Sequence, residues 1–168
     1  MVDRGDILVR RPQASDLARV ADFVSRALGG RRAVDVQRVL GRLGDVGFFL
    51  AEQDGSVVGL IGWHVENLVA RVTDLLVSPS RRRGAVGSAL FREMESAALR
   101  LQAEAVVLLL PRPSRPELVE FARSMGYEPR RVAHMPRAWR ETAYEAGWED
   151  DEEILVKQLR SQRVFRPL

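Results

Sequence analysis

The spacing of apolar positions changes several times along the chain, and each change marks a new element. "ILVRRP" (residues 7–12) reads as a short strand stopped by Pro12. Ser15 or Asp16 then stands where a helix cap belongs. Leu17, Val20, Ala21, Val24 and Leu28 follow on one helical face, until Gly29 and Gly30 end it. A shorter helix is predicted with Val36, Val39, Leu40 and Leu43 inward. The period next falls to that of strands. "VGFFLAEQ" (46–53) and "SVVGLIGWHV" (56–65) flank Asp54-Gly55, a hairpin signal, and "LVARVTDLLV" (68–77) follows Glu66-Asn67 and stops before Pro79.

Helical spacing returns over residues 84–101, with Val86, Leu90, Met94, Ala97 and Leu101 on one side. "AVVLLLP" (105–111) is an unbroken apolar run, as expected of a strand buried on both faces, so strand 68–77, the helix and this run predict a parallel crossover. Residues 116–125 form a helix with Leu118, Phe121, Ala122 and Met125 inward, closed by Gly126. Two strands, near 127–136 and 153–160, enclose an irregular acidic and aromatic segment. The expected fold is α/β: a mixed, mostly antiparallel sheet of six or seven strands, flanked by about four helices, with one parallel βαβ crossover. One domain is expected over residues 1–168, with 1–6 a flexible N-terminus and 161–168 a C-terminal tail.

Composition narrows the function classes. At 168 residues and 46% hydrophobic the chain is long enough for one core, while its apolar runs are too short to span a bilayer. With no cysteine, a disulfide framework and a thiolate metal site are excluded, and no metal is expected. "MVDRGD" lacks the pattern of a secretory signal, so a cytoplasmic location is expected. The net charge is +3, and Lys157 is the only lysine. Scattered arginines, without interleaved aromatics along one element, argue against a nucleic-acid partner. The acidic run Glu149 to Glu153 reads first as a solvated loop and second as an attractor for a cationic substrate.

"SPSRRRGAVGSAL" (78–90) carries the most chemistry. Backbone N–H groups at a helix start point outward unpaired, and the helix dipole makes that end positive, which favours an anion. Gly84, Ala85, Gly87 and Ser88 are small enough to let a phosphate approach, and the three arginines just upstream, Arg81, Arg82 and Arg83, add charge. The stretch matches neither a Walker loop nor Gly-x-Gly-x-x-Gly.

In its element order, and in "AEQDGSVVGLIGW", "VTDLLVSPSRRRGAVGSAL" and "ARSMGYEP", the chain resembles the GCN5-related N-acetyltransferase (GNAT) family over about residues 7 to 160. The resemblance implies a domain that takes acetyl-CoA as cosubstrate and acetylates a primary amine in a ternary complex. It places the first loop-motif position on Arg82 and the last on Gly87, anchored by Val77 and Pro79, with Ala85 where the family has a middle glycine. It further implies that N–H groups from Arg83 through Gly84, Ala85, Val86 and Gly87 to Ser88 hold the CoA pyrophosphate. The pantetheine arm would run along the backbone of Leu75, Leu76 and Val77. A homodimer is compatible with the resemblance.

The catalytic groups stay open between alternatives. Asp74, an acid inside an apolar strand, is the first candidate for the base and reads equally as a structural carboxylate; Glu66 and His64 are the others. The family's usual general-acid tyrosine aligns with Ala122, and its preceding asparagine with Arg115. Tyr144 and Tyr127 are the substitutes, Tyr127 reading more readily as packing. Trp139, Tyr144 and Trp148 could wall an acceptor pocket or cover the sheet. The alternative to an enzyme is a degenerate GNAT-fold protein that binds CoA as a sensor or interaction module.

Overall fold

The computed structural model describes residues 5–30, 37–38, 40–41, 43, 47–80, 82–110 and 112–161. In chain order it contains β1 (Leu8–Arg10), α1 (Leu17–Ala27), β2 (Gly47–Gln53), β3 (Ser56–Glu66), β4 (Val69–Val77) and α2 (Arg83–Arg100). There follow β5 (Ala105–Leu108), α3 (Pro116–Ser124), β6 (Glu128–Arg131), α4 (Arg137–Glu145) and β7 (Glu153–Gln158). The seven strands form one sheet in the order β1-β2-β3-β4-β5-β7-β6. Its parallel pair is β4 with β5, running from Val69 opposite Ala105 to Val72 opposite Leu108. The expected mixed sheet, with one parallel crossover, is therefore the fold observed. By internal contacts the chain divides into two units, Met1–Trp63 with Thr73–Met94, and His64–Val72 with Glu95–Leu168.

In the first unit, α1 buries Val20, Phe23 and Val24 against Phe48, Leu50, Val57 and Leu60. Leu17, expected inward, is 47% exposed because the helix begins only there, and Phe23 fills the inner face instead. Asp16 does not cap α1. Its carboxylate accepts the Gln13 N–H at 2.6 Å and both Arg10 Nη groups at 2.7 Å, which closes a preceding 3-10 turn at Ala14–Asp16. Of the shorter predicted helix, Val36 and Val39 lie outside the described residues, while Leu40 and Leu43 pack against this cluster. Asp54 and Gly55 take φ values of 51° and 75°, the left-handed pair that a two-residue hairpin needs. Two strands on, α2 packs close to β3 at Gly59, where a Cβ would stand 2.8 Å from Val86 and 2.9 Å from Leu90.

The second unit has its own cluster, in which Val69, Ala105, Val107, Ile154 and Val156 of the sheet meet Val132, Met135, Trp139 and Ala143. The segment expected to be irregular contains α4. Met135, Trp139 and Ala143 recur every four residues, an apolar stripe that the surrounding charges conceal in the sequence. Leu68, expected inside a strand, lies with Asn67 in the β3–β4 turn at φ 65° and 51°, so β4 starts at Val69. The run 105–111 pairs as a strand only to Leu108, and the late strand expected over 127–136 gives way to a 3-10 turn at Val132–His134.

Candidate functional site

In the first unit, β4 runs past its parallel register with β5 to Val77, and a short turn leads into α2. The ladder with β3 continues one step beyond the strand, because Ser78 N–H donates to Val58 O at 2.8 Å. Ser80 then organises the turn: its carbonyl accepts the Arg83 N–H at 3.1 Å and its hydroxyl the Arg82 N–H at 3.3 Å. Val86 N–H donates to Arg82 O at 3.0 Å and closes the first helical turn. The donors left between these bonds are the N–H groups of Gly84 and Ala85, which have no partner among the described residues.

The surface at this turn is open and positive. Arg83, Gly84 and Ala85 are exposed, and a Cβ on Gly84 would meet nothing within 4 Å. The first turn holds no acidic residue, so the arginines and the helix dipole carry the same sign without compensation. Arg82 is half-buried, and its Nη1 donates to Gly5 O at 2.5 Å. A neutral carbonyl fixes that guanidinium without cancelling its charge. Val86 and Gly87 are buried, so in this stretch they serve packing as well as the turn.

One turn of strand earlier, Asp74 is half-buried and its Oδ2 accepts the Thr73 hydroxyl at 2.8 Å. Its carboxylate lies across the neighbouring strand over Gly62, where a Cβ would stand 2.7 Å from Oδ2 and 2.7 Å from the Phe48 ring. Gly62 and Thr73 thus shape the carboxylate's position, and neither was singled out from the sequence. A glycine in the middle of an apolar strand was the available signal of close approach. Asp74, Leu75 to Val77 and Arg82 to Ser88 fall in one unit, so the structure brings this part of the candidate set together.

Glu66 and Tyr144 belong to the second unit. Glu66 is exposed at the end of β3, with its carboxylate 3.6 Å from His64 Nε2. Tyr144 is exposed on α4 and donates its hydroxyl to Asp150, and that bond raises its pKa. Tyr127 is buried and donates to Glu95 at 2.9 Å; burial first, and then the Glu95 charge, push its pKa far up. Glu95 also receives Lys157 Nζ at 2.8 Å. Ala122 is fully buried in α3. Trp139 is a core residue rather than a pocket wall, whereas Trp148 is half-buried and carries Arg112 over its ring at 4.0 Å.

No group of three or more potential metal ligands occurs among the described residues, and no helix there is long and apolar enough to cross a membrane. Residues 18–127 match the family described as Acetyltransferase (GNAT) family. None of the curated proteins matches the chain by sequence. Solved structures give the fold. A GNAT-family acetyltransferase from Staphylococcus aureus Mu50 aligns with a TM-score of 0.69 at 14% identity, covering 92% of this chain and 100% of that one. The aminoglycoside 6'-N-acetyltransferase from Enterococcus faecium aligns at 0.66 and 15% identity, covering 93% and 99%. The N-acetylglutamate synthase from Neisseria gonorrhoeae, complexed with coenzyme A and N-acetyl-glutamate, aligns at 0.64 and 19% identity. That alignment covers 92% of this chain, which spans only 35% of the synthase chain.

Proposed function

The chain belongs to the acetyltransferase (GNAT) family, and on that premise we propose that it moves an acetyl group from acetyl-CoA to a primary amine by direct attack in a ternary complex. The observation that carries this reading is the start of α2, where N–H groups without a partner among the described residues, arginines with no acid in the first turn and open space at Gly84 favour a bound anion. The residues present fit the pyrophosphate of CoA. Gly84 and Ala85 would donate backbone N–H groups to it, Arg82 and Arg83 would add charge, and the backbone of Leu75 to Val77 would pair with the pantetheine amides. When bound, the cosubstrate supplies an activated thioester.

Asp74 acts as the base, taking a proton from the amine directly or through one water, and Thr73 and Gly62 hold its carboxylate for that purpose. A backbone N–H of β4 stabilises the negative charge that develops on the thioester oxygen. Both tyrosines of the chain already donate to carboxylates and have raised pKa values, so the proton for the departing thiolate comes from solvent. The same two bonds, together with Ala122 in the core, favour a second reading: a protein that binds CoA without transferring acetyl. Thiol release from acetyl-CoA over a panel of primary amines tests the first reading. The chain contributes no thiol background, since it has no cysteine. Release with at least one amine is the expected result. A CoA-binding protein that releases thiol with none of them supports the second reading.

A further inference from the structure

Within the second unit lies a cleft of about 150 Å3 that neither the α2 turn nor Asp74 uses. Leu108 and Leu155, opposite each other across β5 and β7, form part of its wall, with Leu110, Val119 of α3, and Trp148. Its lining is mostly apolar. An apolar protein cavity of about this volume takes up one benzene ring. Glu153 is the one charged residue among the described lining residues; it is exposed and makes no ion pair among the described residues. The nearby Arg112 does not offset it, because its guanidinium stacks on the Trp148 ring and pairs with Glu152. The stacking also fixes the indole as a wall.

We propose that this cleft binds a small primary amine bearing one apolar ring, or a branched alkyl group of that size, with the ring among the leucines and Trp148 and the ammonium at Glu153. That the ligand is an amine rests partly on the acetyltransferase reading. The ring and the positive charge rest on the cleft. The acidic run read from the sequence as a solvated loop thereby acquires one member with a binding role, while Glu152 is spent on Arg112.

The test uses the full chain without CoA, titrated with benzylamine, benzyl alcohol and 2-aminoethanol and followed by saturation-transfer NMR and calorimetry. Benzylamine is expected to bind saturably with a Kd on the order of 1 mM, and 2-aminoethanol, which lacks the ring, much more weakly. Leu110→Trp and Val119→Trp, which fill the cleft from different segments, should each abolish that binding. Glu153→Gln should weaken benzylamine by about threefold and leave benzyl alcohol unchanged. The thermal shift with CoA is recorded on every variant, which separates a failure of the cleft from a failure of the acetyltransferase reading and shows that each variant is folded. Absence of saturable benzylamine binding in the unmodified protein, or binding that survives both tryptophan variants, overturns the proposal.

Discussion

The carboxylate of Asp74 occupies the space that a side chain at Gly62 would fill: a Cβ there would stand 2.7 Å from Asp74 Oδ2. The two residues are therefore coupled, and the coupling gives the base assignment a test that a single substitution does not. Asp74→Asn should lower turnover by about 10²- to 10⁴-fold while CoA binding is retained. Gly62→Ala should displace the carboxylate, lowering turnover too, at a stability cost of about 1–3 kcal/mol from the crowding of Phe48. In the double variant the glycine substitution should cost no further turnover. Fully additive losses in kcat would show that Gly62 acts independently of Asp74.

Gly84 allows binding and stability to be separated at the α2 turn. Gly84→Asp puts an acid in an exposed first turn where nothing blocks it. The dipole should stabilise the helix by about 0.3–1 kcal/mol, and replacing glycine by aspartate adds only about 0.1–0.3 kcal/mol. The same carboxylate should repel a pyrophosphate. The expected result is a higher Tm together with loss of the thermal shift on adding CoA. A variant that is more stable and still binds CoA would place the anion elsewhere.

Tyr127 is tested by its hydroxyl alone. Tyr127→Phe leaves Glu95 with Lys157 and removes one buried bond, so stability should fall by about 1–3 kcal/mol. Turnover per folded molecule should change less than about twofold, against the 10²- to 10⁴-fold expected for a lost general acid. Steady-state kinetics beside urea unfolding distinguishes the two.

Asp16 and Glu52 make the first unit sensitive to acid. Bonds from Arg10 hold both carboxyls below the usual range, aided at Asp16 by the Gln13 N–H and at Glu52 by Arg19. Their folded-state pKa values are depressed. The stabilisation is thus complete above the unfolded values near pH 4 and is lost as pH falls through the folded ones. Asp16→Asn should cost about 1.5–3 kcal/mol at pH 7, and the difference from the unmodified protein should shrink as pH falls below about 4. Urea unfolding at several pH values checks both the size and the sign.

Where local signals and packing agreed, the fold was legible. Asp54-Gly55 dictated its turn through backbone conformation, and the runs around it alternated or stayed apolar as their burial required. The helix 137–145 was not legible, because only Trp139 and Ala143 within it show the stripe and arginines and glutamates surround them. For Trp139 the sequence leaves a pocket wall and a cover over the sheet both open, since composition does not distinguish a buried aromatic from a lining one; its place in the second cluster decides for packing. At the candidate site the arginines and small residues of the loop could be read directly. The role of Gly62 could not, because it depends on a cross-strand approach that no local spacing encodes. Arg82 read as a phosphate ligand, and its bond to Gly5 links two positions far apart in the chain.

The most direct test of the central claim is the thermal shift of the unmodified protein with acetyl-CoA, with ATP as the control for phosphate alone. At about 100 times its Kd, acetyl-CoA should stabilise the folded chain by about 2.7 kcal/mol, a rise of several degrees in Tm, and ATP at the same concentration should give much less. No shift with acetyl-CoA, or an equal shift with ATP, would contradict the assignment of the α2 turn as the site that holds CoA.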